Sequence, residues 1–416
     1  MSYADHLRAA LAEPDWVTLQ RLAEIATRLG MSLYLVGGPV RDCLLHRAVT
    51  DLDLTTEGDA LILARTAAHE LGGTWKKFNR FGTAKLILPG RARFAPIDLA
   101  TTRTETYARP GALPDVVRGT ITTDLIRRDF TINALAIRLD GAQPGALIDR
   151  HRGEHDLRAG ALRVLHARSF QDDPTRLFRG VRFEQRFNFA FTADTLQLIA
   201  PALPVINQIS GDRIRHELEL IWGEAQPWQA LARLDELGIL QSIEADLHVD
   251  DWIAVHFQAQ PTRDDRFACW AWLTCRLSET SLTRFSQRVN LARAEAIDLE
   301  QVRALRAAAD VLGRLNSRSS IYRALAEYHD RSLRVALTVI DQPAARAALE
   351  LYLDQLRDVR PTLNGMRLQE LGVSRGPMIG RILAEVQAAV LDGIIATPQQ
   401  EEEYARQIMA REGREA

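Results

Sequence analysis

The feature of the sequence that most constrains the fold is a glycine pair that follows a short apolar segment. Ser32–Val36 is typical of a strand, Gly37 and Gly38 of a turn, and the segment carrying Asp51 and Asp53 of a second strand. Alternate residues of a strand share a face, so both carboxylates should point the same way, which is costly without a cation between them. Mg²⁺ suits a few carboxylates plus substrate phosphates, and a glycine turn lets backbone approach a phosphate closely. The segment therefore indicates metal-assisted nucleotide chemistry.

The composition is that of a soluble protein with several domains. A chain of 416 residues is too long for one core and predicts about two to four domains. No apolar run reaches the length of a membrane-spanning helix, and the N-terminus lacks the basic and apolar parts of a signal peptide. Three scattered cysteines show neither metal-ligand spacing nor a disulfide framework. We therefore expect a cytoplasmic protein without a membrane partner.

The chain changes character near residue 150. Before that point strand and helix signals are mixed, with helices expected over 5–29 and 40–45 and a strand over 51–55. Further strands are expected over 74–78, 84–88 and 93–99. From Asp172 onward Ala, Leu, Arg and Glu recur at helical spacing. The predicted fold is α+β, with an N-terminal head built on a small mixed sheet followed by an all-helical remainder.

Asp98 is a candidate third carboxylate. Alternation in the segment from Ala95 to Leu99 places it on the polar face of a strand. It fits two roles equally well: a general base or further metal ligand, and an ordinary exposed strand residue.

A second candidate segment spans residues 127–136. Asp129 or Thr131 is expected to cap a helix that follows. Arg127 and Arg128 at the start of that helix would oppose its dipole, so they require another reason, such as forked contacts to a triphosphate. Asp129 suits a ribose hydroxyl, and Asn133 lies one turn further on the same face. A capped amphipathic helix is the plain alternative, but it leaves the arginines unexplained.

A third segment spans residues 172–183. Pro174 fits the first turn of a helix, and Asp173 and Arg176 can reach the same side of it. A carboxylate beside a guanidinium offers acceptors and donors that suit the edge of a base, although a capped helix with an ion pair explains the same pattern. The net charge is only −2, but this helix carries a basic stripe. The stripe consists of Arg176, Arg179, Arg182 and Arg186. Alone the stripe would indicate a solvated helix face, but the neighbouring motifs favour a functional surface.

Together these segments resemble the class II tRNA nucleotidyltransferase (CCA-adding) and bacterial poly(A) polymerase family. The matching motifs are LVGGPVRD at 35–42, DLDLTT at 51–56, RRDFTINALA at 127–136 and DDPTRLFRGVRF at 172–183. The resemblance implies a polymerase β-like nucleotidyltransferase head and helical parts that hold the acceptor arm of tRNA. The implied divisions are a head at 1–150, a neck at 151–225, a body at 226–330 and a tail at 331–416.

The resemblance also implies residue roles. Asp51 and Asp53 would bind Mg²⁺. Asp98 is counted with them as a candidate catalytic carboxylate because of strand alternation, not because of the resemblance. CTP and ATP would be the substrates, selected without a template through the base edge by Asp173 and Arg176. The residues expected to bind nucleotide are Gly37, Gly38, Arg41, Arg128, Asp129, Asn133, Asp173, Arg176, Arg179 and Arg182. The residues expected to contact RNA are Arg186 and Arg375, although Arg375 equally fits a plain turn between helices.

Product specificity is left open by the sequence. The segment from Thr104 to Ile126 corresponds to a mobile loop of the family, and it retains only Arg109-Pro110 of the usual paired arginines before proline. Because the loop is not drastically shortened, CC-only addition is disfavoured, while A-only addition stays open. We expect full CCA addition, since the selector residues are present. The alternatives are a poly(A) polymerase and a catalytically inactive RNA-binding protein.

Overall fold

A computed structural model describes residues 3–49, 51–78, 82–89, 96–141, 144–259 and 265–412. The chain divides into two compact units, residues 1–248 and 249–416. The first unit combines a sheet with helices and the second is helical, so the predicted α+β head followed by helices is confirmed. The finer division into head, neck, body and tail stays a prediction. No helix in the described parts of the chain is both long and apolar enough to cross a membrane.

The first unit is built on a sheet of seven strands among its described residues. The strands of the unit are β1 (Ser32–Val36), β2 (Asp53–Glu57), β3 (Thr74–Lys77), β4 (Thr83–Ile87), β5 (Ile97–Thr101), β6 (Arg103–Thr106), β7 (Asp115–Arg118), β8 (Leu135–Arg138), β9 (Leu147–Asp149), β10 (Ala161–Leu162) and β11 (Ala190–Phe191). The order in the main sheet is β3-β4-β5-β2-β1-β8-β9. Only β2 and β5 run parallel in it. The strands β6 and β7 form a separate antiparallel hairpin, and β10 pairs with β11.

The helices of the first unit pack against parts of this sheet and continue beyond it. They are α1 (Tyr3–Ala10), α2 (Glu13–Arg28), α3 (Gly38–Leu44), α4 (Ala60–Glu70), α5 (Ile121–Ile126), α6 (Gly153–Arg158), α7 (Ser169–Asp172), α8 (Thr175–Phe187), α9 (Ala193–Gln197), α10 (Ile199–Ala202), α11 (Gly211–Trp222) and α12 (Pro227–Glu236). Short 3₁₀ turns cover Thr131–Asn133 and Leu203–Gln208.

The second unit consists of helices in its described part. They are α13 (Asp251–Ala259), α14 (Arg266–Thr274), α15 (Glu279–Arg288), α16 (Arg293–Ala307), α17 (Ala309–Leu312), α18 (Arg318–Leu325), α19 (Asp330–Val339), α20 (Pro343–Leu351), α21 (Gly365–Glu370), α22 (Pro377–Leu391) and α23 (Pro398–Glu412). A π-helical turn, Tyr352–Leu356, follows α20.

The core of the sheet region lies between one sheet face and the helices α2 and α4. Leu22 of α2, Leu63 of α4 and Leu54 of β2 are all buried in it. Asp59 caps α4 by accepting hydrogen bonds from the Leu61 and Ile62 amides, which satisfies two of the N–H groups that a helix start leaves unpaired. Because Leu54 faces this core, strand alternation directs Asp53, Thr55 and Glu57 to the opposite face.

Three local predictions differ from the structure. The helix expected over 5–29 is two helices, with Pro14 in the first turn of the second one. The strand expected to begin at Asp51 begins at Asp53, so Asp51 lies just before it. The helix expected after Arg128 is wrong: a 3₁₀ turn leads there into β8, which pairs with β1. Arg127 therefore does not start a helix. It caps the C-terminus of α5, and the C-terminal end of a helix favours a positive charge.

Other predicted bounds hold within a few residues or lie outside the described chain. The strands expected over 74–78 and 84–88 are β3 and β4, and the strand expected over 93–99 begins at Ile97 in the described part. Residues 93–95 lie outside the described residues. The loop expected between Thr104 and Ile126 is a structured hairpin followed by α5.

Candidate nucleotide-binding cleft

The first unit contains a cleft of about 690 Å³ between the end of β1, the start of β2 and the helix α8. It brings together candidate residues that are spread over about 150 positions of the sequence. The predicted residues that line it are Gly37, Gly38, Arg41, Asp51, Asp53, Arg128, Asp129, Asn133, Asp173, Arg176, Arg179, Arg182 and Arg186. Asp98 and Arg375 do not line it. The cleft therefore sets two carboxylates against a wall of arginines.

Asp51 and Asp53 lie together at the acidic side of the cleft, although only Asp53 belongs to the strand. Burial, together with the nearby Asp98 carboxylate, raises the pKa of Asp53 to about 6. Burial disfavours the charged form of Asp53 and the Asp98 charge adds to this cost, which a bound divalent cation would relieve. In the described chain no three His, Cys, Asp or Glu side chains are grouped so that they could hold a metal by themselves. Two carboxylates completed by substrate phosphates fit Mg²⁺, which rarely relies on an all-protein cage.

Asp98 lies opposite Asp53 in the parallel register of β5 and β2. Its side chain is 51% exposed, and its carboxylate lies 3.4 Å from the Lys85 ammonium. It therefore acts electrostatically on Asp53 without lining the cleft. Its role as a base or a third ligand stays a prediction.

The glycine turn meets the arginines at close range. Gly37 has a φ of 72°, in the left-handed region that favours glycine. A Cβ at this position would lie 2.7 Å from Nη1 of Arg128. Gly37 is thus favoured by its backbone conformation, and a Cβ there would also push the Arg128 guanidinium aside.

Asp129 is the centre of a buried hydrogen-bond network. Its Oδ2 accepts from Nε of Arg179 at 2.8 Å, and its Oδ1 accepts from the Phe130 amide at 2.8 Å and from Nδ2 of Asn133 at 2.9 Å. Arg179 also donates to Oδ2 through Nη2, so four hydrogen bonds fill the lone pairs of the carboxylate. Burial acts to raise the pKa of Asp129, but Arg179 and these hydrogen bonds lower it to about 2. In this state Asp129 orients Arg179 and Asn133 instead of offering a free oxygen to a ribose.

Arg41 extends the same network toward the glycine turn. Its Nη1 donates to Oδ1 of Asn133 at 2.7 Å, and its Nε donates to Asp42 at 2.9 Å. The guanidinium lies 4.5 Å from the centre of the Phe187 ring, a cation–π distance. Arg41 is only 6% exposed, so this set of partners fixes its charge at the wall of the cleft.

Asp124 explains why two arginines can stand side by side. Its fully buried carboxylate accepts from Arg127 at 2.8 Å and from Arg128 at 3.0 Å. Burial opposes the charge of Asp124, but the two guanidinium groups hold its pKa below the ordinary value. Nε of Arg128 is buried without a hydrogen-bond partner among the described residues. The sequence did not single out Asp124, because nothing in its spacing marks it as the counter-ion.

The two expected selector residues are held by other partners instead of each other. Oδ1 of Asp173 accepts from the Thr175 hydroxyl at 2.7 Å and from Arg213 at 2.6 Å. Arg176 donates to the Ser169 hydroxyl and to the Arg127 carbonyl, both at 2.6 Å. The simple intrahelical ion pair is therefore not formed. Oδ2 of Asp173 has no hydrogen bond to a described residue, and it remains available as an acceptor in the cleft.

The arginine stripe on α8 is not a fully solvated helix face. Arg176 and Arg182 are buried, whereas Arg179 is half-buried and Arg186 is exposed. Arg182 lies 3.9 Å from both Glu217 and Glu224, and Arg186 pairs with Glu224 through Nε at 2.9 Å. Burial raises the pKa of Glu217. Both glutamates come from α11 or its end, so the stripe is held against that helix while its open side lines the cleft.

A phenylalanine cluster fixes α8 next to the Asp129 segment. Phe130 is fully buried, and its ring centre lies 6.0 Å from that of Phe183 and 6.4 Å from that of Phe170. These edge-on contacts are worth about 0.5–1.5 kcal/mol each beyond the burial of the rings. Gly180 permits the close approach, since a Cβ there would lie 2.8 Å from the Phe130 ring.

The hairpin of β6 and β7 supplies further cleft residues that the sequence did not identify. Glu105 accepts from Nε of Arg103 at 2.9 Å, from Arg127 at 3.1 Å and from the Tyr107 hydroxyl at 2.8 Å. The segment expected to be a mobile loop is thus tied to the end of α5 by the ion pair between Glu105 and Arg127. The role of Glu105 depends on its pairing with Arg127, which lies 22 positions away, so no local motif could show it.

Arg375 lies in the second unit, between α21 and α22. It is exposed, and its Nε donates to Gln369 at 3.3 Å. Its proposed contact with RNA stays a prediction.

Comparisons with known proteins agree with this geometry. A family model described as the poly A polymerase head domain matches residues 33–163, and one described as a probable RNA and SrmB-binding site of polymerase A matches residues 188–248. The chain is 35% identical over 414 residues to the A-adding tRNA nucleotidyltransferase of Halalkalibacterium halodurans, covering 97% of this chain and 95% of that protein.

Two solved structures resemble the chain over nearly its whole length. A CCA-adding enzyme in complex with ATP matches with a TM-score of 0.78 at 28% identity, covering 99% of each chain. The CCA-adding enzyme of Thermotoga maritima complexed with tRNA matches with a TM-score of 0.71 at 28% identity, covering 99% of this chain and 98% of that one. The part of the chain matched as the head domain contains the glycine turn, Asp51, Asp53 and Arg128.

Proposed function

We propose a specific reaction for this chain, which belongs to the tRNA nucleotidyltransferase family: it adds one AMP from ATP to a tRNA that already ends in CC. The family membership establishes a nucleotidyltransferase that acts on tRNA. The choice of a single adenosine is favoured by the likeness to an A-adding enzyme, which extends over 97% of the chain at 35% identity. The full CCA addition that the sequence favoured is the second candidate, since CCA-adding structures match at 28% identity.

The observation that carries the proposal is the cleft itself, in which two carboxylates face a wall of fixed arginines. A nucleoside triphosphate presents strong negative charge along its phosphates, and guanidinium groups bind such oxygens in a forked, directional way. Arg41 and Arg128 lie beside the glycine turn, so the triphosphate would extend from there toward Asp51 and Asp53.

The reaction follows from this placement. The RNA 3′-hydroxyl oxygen attacks the α-phosphorus, the bond to the β-phosphate oxygen breaks, pyrophosphate leaves and the hydroxyl proton is released. Asp51 and Asp53 would hold Mg²⁺, which when bound neutralises the phosphates and activates the hydroxyl. The arginines bind and orient the phosphates in advance, so most of the rate enhancement would come from positioning and fixed charge.

Base selection would use the free acceptor of Asp173 and the guanidinium of Arg176. Adenine and cytosine both present an amino group beside a ring nitrogen that accepts a hydrogen bond. Oδ2 of Asp173 can accept from the amino group, and a donor such as Arg176 can serve the ring nitrogen. This pair rejects uracil and guanine, whose corresponding groups have the opposite polarity. Discrimination between ATP and CTP must then come from the room around the pair and from the end of the RNA.

The proposal is tested with three tRNA transcripts that end before CCA, after C and after CC. Each is incubated with protein and Mg²⁺ and with CTP, ATP or both, and the products are resolved at single-nucleotide resolution. The expected result is one addition, to the CC-ended transcript only and from ATP only. Three additions to the shortest transcript would instead establish full CCA addition, and a long ladder with ATP would establish poly(A) synthesis. No incorporation by a folded protein would leave RNA binding as the function.

A further inference from the structure

A row of charged side chains leads away from the cleft across one face of the sheet. Asp53 in β2 lies opposite Asp98 in β5, and Asp98 lies opposite Lys85 in β4. Lys85 in turn lies opposite Lys76 in β3, the edge strand of the sheet. Residues directly opposite on neighbouring strands project from the same face. Because strands lie about 4.8 Å apart, the row extends about 14 Å from Asp53 to the edge.

An aromatic ring stands at the outer end of this row. Phe78 follows β3, two positions after Lys76, and its amide donates to the Thr83 carbonyl, so the strand alternation continues to it. Its side chain is on the same face as Lys76 and is 62% exposed. The Lys85 ammonium lies 5.1 Å from the Phe78 ring centre and 3.4 Å from the Asp98 carboxylate. Lys85 thus connects the acidic end of the row to the exposed ring.

The other face of these strands is occupied by the core. Ala84 and Leu86 alternate with Lys85 in β4 and are buried in the cluster that contains α4. Leu99 follows Asp98 in β5, points to the opposite face and is buried in the same cluster. The face with the lysines carries Phe78 exposed and Lys85 37% exposed, so it is a surface open to a partner.

The direction of the chemistry indicates which partner this face receives. In phosphoryl transfer the attacking and leaving oxygens lie roughly in line on opposite sides of the phosphorus. The arginines and the glycine turn, which would hold the pyrophosphate, lie on the β1 side of Asp53. The attacking hydroxyl must then arrive from the β5 side, where Asp98, Lys85 and Lys76 lie. Lysines and an exposed aromatic ring are the combination that binds the phosphates and bases of a single strand.

We propose that Lys76, Phe78 and Lys85 form the subsite for the terminal nucleotides of the acceptor RNA, an inference that rests on the proposed function. The lysines contact the phosphates of the single-stranded end, and Phe78 stacks on a base. The row delivers the 3′-hydroxyl to Asp53 from the side opposite the leaving pyrophosphate. By pairing with Asp98, Lys85 also offsets the negative charge that the incoming strand must cross to reach Asp53.

The test compares Lys76→Gln and Phe78→Ala with Lys77→Gln as the matched control. Lys77 is the next residue on the same exposed strand, but it is opposite Ala84 and so belongs to the other face. The KM for CC-ended tRNA is measured at saturating ATP, and the KM for ATP at saturating tRNA. We expect Phe78→Ala to raise the KM for tRNA about tenfold, as stacking on one base warrants, and Lys76→Gln to raise it roughly threefold. The KM for ATP should stay within about twofold in all variants, and Lys77→Gln should match the unmodified protein.

A binding measurement without ATP separates this subsite from the proposed reaction. The affinities for tRNA with and without the CC end are compared at several salt concentrations. The higher affinity that the CC end confers should disappear in Phe78→Ala. The slope of the logarithm of the affinity against the logarithm of the salt concentration should fall by about one phosphate contact in Lys76→Gln but not in Lys77→Gln. The inference is overturned if Phe78→Ala keeps the CC advantage, if the two lysine variants behave alike, or if the KM for ATP rises instead. A protein that adds no AMP but shows these binding differences would refute the proposed function and keep the subsite.

Discussion

Replacement of Asp129 by asparagine tests the claim that a buried ion pair fixes the arginine wall. Asp129→Asn keeps the shape of the side chain and removes the charge that holds Arg179. The pKa of Asp129 is about 2 in the folded protein, compared with about 3.9 in an unfolded chain. That difference corresponds to roughly 2–3 kcal/mol of folding free energy at neutral pH. Since Asp129 is only 7% exposed, little of this value is lost to solvent screening.

The sign of the pH dependence follows from the lowered pKa. The charged form of Asp129 is favoured by the folded state, so its contribution is complete above about pH 5. The contribution is lost as the pH falls through the unfolded and then the folded pKa, from about 4 to about 2. The difference in stability between the unmodified protein and Asp129→Asn should therefore be constant near neutral pH and shrink in acid.

The assay must report on the first unit alone, because a protein with two units need not unfold in one step. Hydrogen exchange of peptides from α8 and the 129–133 segment, followed through a urea series, gives that local stability. Glu70→Gln is the control, because Glu70 pairs with Arg28 on the surface and such pairs contribute about 0.5 kcal/mol. A loss below about 0.5 kcal/mol in Asp129→Asn, or a loss that does not change between pH 6 and pH 3, would refute the reasoning.

Three further outcomes are expected. Gly37→Ala should lower ATP binding at least tenfold with a correctly folded sheet, because the new Cβ displaces Arg128; unchanged ATP affinity in an equilibrium titration would contradict this. Arg213→Met should raise the KM for ATP and weaken the rejection of other nucleotides, because Asp173 loses a partner, while Arg213→Lys should recover part of the selectivity; equal selectivity of all three proteins in a competition assay would count against it. Asp53→Asn should lower kcat by more than a hundredfold and weaken Mg²⁺ binding measured by calorimetry. An unchanged kcat together with an unchanged Mg²⁺ affinity would show that Asp53 does not bind the metal.

The parts of the site that could be predicted from sequence are those carried by short contiguous motifs. The glycine turn and the two aspartates are separated by only 13 positions, and strand alternation and turn chemistry are enough to bring them together. The stripe on α8 follows from helical spacing in the same way. Each of these groups lies in the cleft as expected, even though Asp51 stands just before the strand.

The partners that fix these residues could not be predicted, because they are distant in sequence. Arg179 pairs with Asp129 across 50 positions and Arg213 with Asp173 across 40. The counter-ion Asp124 belongs to α5, inside a segment that was expected to be a loop. Nothing in local periodicity marks a residue as the partner of a distant charge.

The wrong helix after Arg128 has a tertiary cause. The residues that follow it have the apolar spacing of a short amphipathic helix, yet they form β8 by pairing with β1. Pairing with a buried central strand satisfies backbone groups and buries Ile137, which outweighs a local helical preference of a few tenths of a kcal/mol per residue.

The central claim is that the arginine-walled cleft holds ATP above Asp51 and Asp53, with its base at Asp173 and Arg176. A crystal structure of the protein with a non-hydrolysable ATP analogue, Mg²⁺ and a CC-ended tRNA tests it most directly. We expect the triphosphate between the glycine turn and Arg128, and the adenine amino group within hydrogen-bond distance of Oδ2 of Asp173. A nucleotide bound elsewhere, or a base that makes no contact with Asp173 or Arg176, would contradict it.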